Sequence, residues 1–360
     1  MRSLGAIELE DILIGCTILG TGGGGSLSEG QRLIKGLIEK GEEFTLGKLE
    51  DLDPKALIGS PYYCGSISPE GGKEESGEVA LKAFEALEDY LSEEFKGVIA
   101  AELGGFATAG ALAVAAERGL PLLDADAAGR AAPDLQCSIF YVMGIPIAPM
   151  AVASPMGDVM IVKQVQDDRR AEEIIRRIAV ISGNMVGVCD HPTRMEMLQE
   201  VVIPNTISLA EKVGRVRRKA MEKEDNPCKA VTEAGNGYLL FQGLVTAHNW
   251  KVEEGFTVGQ IKLTGIDECK GEEYTIWYKN ENIISWYNGE VDVTVPDLIS
   301  ILEKDTGMPI TNPNCDKGKR VSVIGFPASE QWRTPDGITA FGPKFFGHDV
   351  EYVPIERRRG

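Results

Sequence analysis

Asp124 and Asp126 stand two residues apart in LLDADAAGRAAPDLQ, residues 122–136. In an extended stretch that spacing points both carboxylates to one side. Neighbouring carboxylates push their pKa values apart, so such a pair can divide acid from base work or hold a hard cation together. Gly129 then supplies a flexible point, and Arg130 a fixed cation able to grip a substrate carboxylate through two N–H groups. A strand-to-helix turn capped by Asp124 and neutralised by Arg130 is the plainer use of the same residues. Asp134, farther along, reads as a surface acid. A third acid, Glu102, opens ELGGFATAG and is followed by Gly104 and Gly105 before an Ala-rich run. Its plainer use is to cap the next helix or to pair with a surface arginine.

Ahead of these acids lies LGTGGGGS, residues 19–26, with Thr21 and then Gly22, Gly23, Gly24 and Gly25 in a row. Gly20, Gly22 and Gly25 satisfy GxGxxG, but the dinucleotide fingerprint needs a strand before the loop, and helical spacing precedes it here. No Lys-Ser/Thr pair follows, so this is not a Walker loop. Ser26-Leu27-Ser28-Glu29 is a capping box that fixes a helix N-terminus just after the last glycine. Bare N–H groups beside such a terminus suit a carboxylate, a carbonyl or a developing oxyanion as well as a phosphate. A tight interhelical turn would need only one or two of the glycines.

Histidine is scarce, at positions 191, 248 and 348. Cys189 and His191 in VCDHPT have a spacing that can serve a metal, yet no HExxH or HxH accompanies them. Either of the other two reads as an ordinary satisfied histidine. Cys64 in YYCGS precedes a Gly-Ser turn and has the chemistry of a nucleophile, but no partner base follows from spacing, and a buried inert thiol is the simpler account. No resident cofactor is expected. A divalent ion on the acids would activate water, though the ligand set that would call for one is missing.

These residues must be placed by a chain of 360 residues that is 43% hydrophobic, enough for two domains with their own cores. A formal net charge of −18 opposes nucleic acid and anionic membrane surfaces, which both depend on Lys/Arg neutralisation. No charged and apolar leader opens the sequence, and no window reaches the length of an apolar membrane span. Seven scattered cysteines without CxxC pairing suit reduced thiols in a cytoplasm. A homo-oligomer, by default a dimer, is expected.

Periodicity gives helices around 9–19 and 33–38, then a helix 77–95, a buried strand 98–101, an Ala-rich helix 106–118 and a strand 120–123. That alternation is the mark of an α/β layer with parallel pairing. Glu102 and the Asp pair then share the carboxyl edge of the sheet, where such sheets bind ligands. Two strands are expected between 140 and 165, a helix over 167–181 beginning in the charged run DDRRAEE, and a helix over 203–223 capped by Asn205 or Thr206. After Pro227 the sequence turns to short aromatic and β-branched runs, which predict a small barrel or sandwich. The expected organisation is a three-layer α/β/α domain over 1–168 and, over 169–360, a helical connection followed by a β-rich, barrel-like domain with helices.

GTGGGG near the N-terminus, AELGG with its Ala-rich helix, and PLLDADAAGRAAPDLQ together resemble the S-methyl thiohydantoin desulfurase family. VVIPNTISLAEKVGR (201–215), VPDLISILEKDTGMPI (295–310) and FGPKFFGHDVEYVPIE (341–356) resemble its later signatures. The resemblance implies a three-layer α/β domain followed by a β-rich one, a cytoplasmic setting, and the company of hydantoinase or oxoprolinase proteins. It implies hydrolytic removal of sulfur from a five-membered thiohydantoin ring, within a family that also handles other cyclic amides. Members often read DADGMGRAFPE where this chain has Ala127-Ala128 and Asp134, so bulk is lost beside Arg130. Under this reading Asp124 or Asp126 takes a proton from water, Glu102 orients the water or protonates the leaving group, and Arg130 holds a substrate carboxylate. N–H groups of Gly22–Gly25 or of Gly104 and Gly105 face the developing charge. The rival readings are a nucleotide-binding protein using the glycine loop and a noncatalytic partner of a hydantoinase-type enzyme.

Overall fold

Short aliphatic and β-branched runs between turn residues form the nine strands of one sheet. They are β1 (Arg2–Leu4), β2 (Phe44–Gly47), β3 (Leu57–Gly65), β4 (Gly97–Ala100), β5 (Leu122–Asp126), β6 (Met150–Ala153), β7 (Val159–Val162), β8 (Met185–Arg194) and β9 (Ile203–Pro204). Their order is β1-β2-β5-β4-β3-β8-β6-β7, with β9 on the end of β5. The central strands β2, β5, β4 and β3 run parallel, and the flanking strands pair antiparallel. The computed structural model describes residues 1–65 and 78–359. Residue 77, where the third helix is expected to begin, and Ser66 of the expected turn lie outside them.

The chain falls into two compact units. Unit 1 comprises Met1–Leu9, Gly25–Ala128 and Asp134–Ile207, and unit 2 comprises Glu10–Gly24, Gly129–Pro133 and Ser208–Gly360. Unit 1 holds the nine-stranded sheet. Strand alternation sends successive side chains to opposite faces, and the glycines of two elements show what one face must admit. A Cβ on Gly59 would come within 2.6 Å of the Phe84 ring, and one on Gly110 within 2.4 Å of Tyr63. Helices Val79–Leu91 and Ala107–Glu117 therefore press onto that face. The other parity of β3, Tyr62 and Cys64, packs with Ala171, Ile175 and Ala179 of helix Asp168–Ile181. Helices on both faces make the three layers that the alternating pattern predicts.

Two expectations shift in detail. The strand expected at 120–123 runs through both acids, as Leu122–Asp126. The helix expected from 203 starts at Thr206, because Ile203 and Pro204 pair with Asp126 and Ala125, and Asn205 takes a left-handed φ of 62°. β3 and β8 give no clear sequence signal. Pro61 sits inside β3, where its missing N–H is tolerated because pairing with short β4 ends at Gly59.

Unit 2 is built on an antiparallel sheet of seven strands: β10 (Tyr238–Glu253), β11 (Phe256–Gly265), β12 (Glu273–Lys279), β13 (Glu281–Tyr287), β14 (Glu290–Thr294), β15 (Leu298–Glu303) and β16 (Arg320–Phe326). In the order β14-β13-β12-β11-β10-β16-β15 they curl into a half-barrel around Phe241, Ile261, Tyr274, Ile276, Ile299 and Val323. Bulges in β10 bend the sheet. Two helix segments of this unit meet through glycines: a Cβ on Gly15 would lie 1.8 Å from the Ala210 carbonyl oxygen, and one on Gly214 1.9 Å from that of Asp11. Arg218 fastens the contact, donating from Nε and Nη2 to the two Asp11 carboxylate oxygens at 3.0 and 2.7 Å. All seven cysteines are free, and no helix among the described residues is long and apolar enough to cross a membrane.

Candidate active site

In unit 1 the parallel strands β4 and β5 end together at the pair Ala100–Asp126, while β3, beside β4, runs on to Gly65. Asp126 is the last residue of β5, is fully buried, and pairs with Ala100, the last residue of β4. Its Oδ2 accepts the Ala128 N–H at 3.0 Å, which fixes the carboxylate against its own turn. Asp124 is buried two residues earlier, and its carbonyl accepts the Asn205 N–H at 2.7 Å. The segment that carries Asn205 thus closes the outer side of the acidic strand. Glu102 is half-buried, two residues past the end of β4.

The second glycine pair joins this edge. Gly104 donates to Thr108 Oγ1 at 3.1 Å and opens helix Ala107–Glu117. A Cβ on Gly30 would lie 2.0 Å from the Gly105 carbonyl oxygen, and one on Gly25, at φ +79°, 2.6 Å from Phe106 Cβ. Gly25 and the start of helix Leu27–Lys40 are therefore laid onto the 104–106 turn. Ser26 caps that helix, its Oγ accepting the Glu29 N–H at 3.3 Å. Unit 1 thus sets Gly25 against the turn of Gly104 and Gly105 that follows Glu102, and carries Asp124 and Asp126 on the strand beside β4.

Thr21, Gly22, Gly23 and Gly24 belong to unit 2, as does Arg130. Thr21, Gly22 and Gly24 have positive φ, and the carbonyls of Thr21 and Gly22 accept the N–H groups of Asn282 and Asn312, each at 2.8 Å. A Cβ on Gly23 would fall 1.7 Å from Glu281 Oε1, and one on Gly22 2.6 Å from Asn312 Nδ2. Bare backbone is needed here so that the loop can lie against β13 and its neighbours. The element before the loop is helix Ala6–Leu19, so the strand required by a dinucleotide fingerprint is not there.

Arg130 is fully buried. Nε donates to the Ala131 carbonyl, Nη1 to those of Pro296 and Asp297, and Nη2 to Thr21 Oγ1 at 2.8 Å and the Asn282 carbonyl at 3.1 Å. The Phe341 ring covers the guanidinium at 4.9 Å. An arginine has five N–H donors, and all five meet oxygens of unit 2. The group braces Thr21 and the strand ends, and a substrate carboxylate would have to displace one of these bonds.

Sequence reasoning missed a further group in unit 1. Helix Asp168–Ile181 brings Glu172 and Arg176 as an ion pair beside Cys64, and Glu172 Oε2 accepts the Leu135 N–H at 3.1 Å. Ala101 and Leu135 pack on the same cluster. Burial pushes the Glu172 carboxyl up, Arg176 pulls it back, and Asp134 adds to the rise. Burial and then Glu172 push the Cys64 thiol up to about 12, so it is held protonated and is not a ready nucleophile. The i, i+4 spacing of Glu172 and Arg176 was the available signal, but only tertiary packing shows which strand end they face.

His191 lies in β8 with its ring stacked on Phe140 at 4.6 Å and its Nδ1 2.8 Å from Asp190 Oδ1. Its partners are carboxylates, and among the described residues no group of three or more His, Cys, Asp or Glu is arranged to hold a metal ion. His248 pairs with the Tyr278 hydroxyl at 2.7 Å, and His348 packs edge-on to Trp277. Burial lowers the pKa of both.

Comparison with curated proteins gives no match. A crystal structure of a protein from Chromobacterium violaceum superposes with a TM-score of 0.80 at 22% identity, over 99% of this chain and 100% of that one, and so shares the fold. The S-Me-THD-like N-terminal domain matches residues 7–164 and the S-Me-THD-like C-terminal domain residues 166–355. With both domains matched across nearly its whole length, the chain belongs to the S-Me-THD-like family, that of the S-methyl thiohydantoin desulfurases.

Proposed function

We propose that the protein is a hydrolase that removes sulfur from a small five-membered thiohydantoin. Water adds to the ring carbon bearing the S-methyl group, the carbon–sulfur bond breaks, methanethiol leaves with a proton, and the ring carbon becomes a carbonyl. The step needs a base for the water, a donor for the leaving thiolate, and N–H groups facing the charge of the addition intermediate. Asp126, held by the Ala128 N–H, is assigned the water proton, with Asp124 beside it as its partner or substitute. Glu102 orients the water or protonates the departing sulfur, and backbone of Gly25, Gly104 and Gly105 lines the site. Arg130, with Thr21 and Gly22–Gly24, is assigned to shaping unit 2, because its donors are spent there. What supports the reading is that Asp124 and Asp126 lie in the last residues of β5 and that Asp126 pairs with Ala100, the end of β4, two residues before Glu102, at the edge where α/β sheets bind ligands.

The test is release of methanethiol from an S-methylated thiohydantoin, followed with a thiol reagent. A thermal-shift series of thiohydantoins, hydantoins, oxoproline and nucleotides accompanies it. Turnover of the first with stabilisation by the ring compounds alone is the expected result. Stabilisation by nucleotides alone would overturn the reading. A cytoplasmic setting, a homodimer and a hydantoinase- or oxoprolinase-type companion belong to the same reading; co-purification without any hydrolysis would favour a noncatalytic partner instead.

A further inference from the structure

His191 is a fully buried group that the proposed chemistry does not use. It sits where β3 and β8 lose register, between the pairs Ile58–Thr193 and Ser60–Asp190, and takes a left-handed φ of 45°. A residue with a Cβ adopts that conformation at a cost, so surrounding contacts must hold it. Those contacts come from four elements. Asp190 Oδ1 meets Nδ1 at 2.8 Å, while Asp190 Oδ2 accepts the Tyr62 hydroxyl of β3 at 2.7 Å. Asp168 Oδ1, in the first turn of helix Asp168–Ile181, faces Nε2 at 3.4 Å, an ion-pair distance. Phe140 stacks on the ring, and the Ile147 carbonyl accepts the His191 N–H at 3.2 Å.

We propose that His191 is a positioning residue, a cationic pin that ties the first turn of helix Asp168–Ile181 to β8 and so sets Glu172 and Arg176 against the ends of β3 and β4. Asp168, Glu172 and Arg176 are spaced by four, so they lie along one face, and fixing the first fixes the other two. The titratable groups around the ring are Asp190, Asp168 and, through Asp190, Tyr62. Burial works against the charged ring, but the two aspartates outweigh it and raise its pKa to about 9. The imidazolium therefore persists through neutral pH; its Nδ1 hydrogen-bonds Asp190, while its Nε2 faces Asp168 Oδ1 at ion-pair distance without hydrogen-bond geometry, so the charge rather than a second hydrogen bond holds the helix. Loss of its proton above pH 9 removes the charge that faces Asp168 and releases the helix. The consequence for the site rests on the proposed function, whereas the pin itself does not.

Full-length protein, H191Q and D168N decide the matter. Only three histidines contribute to a side-chain nitrogen spectrum, so the His191 signal stands alone near pH 9 while the other two titrate below the usual value. Amide exchange over 168–181, corrected for intrinsic rate, is expected to rise about tenfold in H191Q at pH 7, with β12 and β13 little changed. Wild type is expected to gain the same fast exchange as pH rises through 9, and H191Q to show no such step. Unchanged exchange in H191Q, or a step that survives in it, would overturn the pin. Should H191Q not fold, D168N carries the test: the His191 midpoint must fall and the helix must loosen, and an unmoved midpoint refutes the proposal. Affinity for an S-methylated thiohydantoin is expected to fall in step with the faster exchange. Unaltered affinity would disprove the positioning role, while a wild type that binds no thiohydantoin sinks the functional reading and leaves the exchange result standing.

Discussion

At the residue scale, Asp126 and Arg130 stand four positions apart and do different work. Asp126 ends β5 opposite Ala100, the last residue of β4, and the proposed function assigns its carboxylate the water proton. Asp126→Asn keeps the shape and removes the base, so kcat is expected to fall by about 10²- to 10⁴-fold with binding of the ring compound retained. Steady-state kinetics with calorimetry check this, and loss of binding with unchanged turnover of bound ligand would move the base elsewhere. Arg130→Met leaves the carbonyls of Pro296, Asp297 and Asn282 without their donor in a dry interior. The expected cost is about 3–5 kcal/mol in urea unfolding, because several buried acceptors lose their donor at once, at about 1–3 kcal/mol each. His191 gives a pH dependence of definite sign. Its folded-state pKa of about 9 exceeds the ordinary 6.5, so its stabilisation is complete below 6.5 and is lost as pH rises through 9. The unfolding free energy of wild type relative to H191Q should fall by on the order of 3 kcal/mol between those limits.

At the element scale, the glycines of helix Leu27–Lys40 separate packing from propensity. Gly30 faces the Gly105 carbonyl with no room for a methyl group, whereas nothing lies within 4 Å of a Cβ on Gly36. Gly30→Ala is expected to destabilise by about 2–4 kcal/mol, since backbone must move. Gly36→Ala is expected to stabilise by about 0.5–1 kcal/mol through helix propensity alone. Thermal melts of the two variants check both signs. The helix cap at Ser26, the Ala-rich helix and the β-like runs after Pro227 were legible in the sequence because each is a local pattern. β3 and β8 were not, because Pro61 and the bulge at His191 break the alternation that marks a strand.

At the scale of the molecule, the net charge of −18 opposes the folded state through self-repulsion. Raising ionic strength from about 0.01 to about 0.1 M shortens the Debye length from about 30 to about 10 Å, and the melting temperature is expected to rise. A fall would mean that surface ion pairs such as Arg194–Glu93 outweigh the repulsion. The two compact units draw on short exchanged segments, residues 10–24 and 129–133, which no periodicity can assign because their membership depends on contacts far away in sequence.

By itself, the sequence determined the α/β layer with parallel strands, the β-rich second half, the acids at a strand end and the family. Those follow from patterns over a few residues or from motifs. Tertiary structure alone decided that Arg130 spends its donors inside unit 2, that the glycines make room for neighbours as well as turning, and that helix Asp168–Ile181 carries Glu172 and Arg176 to the end of β3. Each depends on which distant groups compete for the same donor or the same space, and that competition is settled only when the chain is packed.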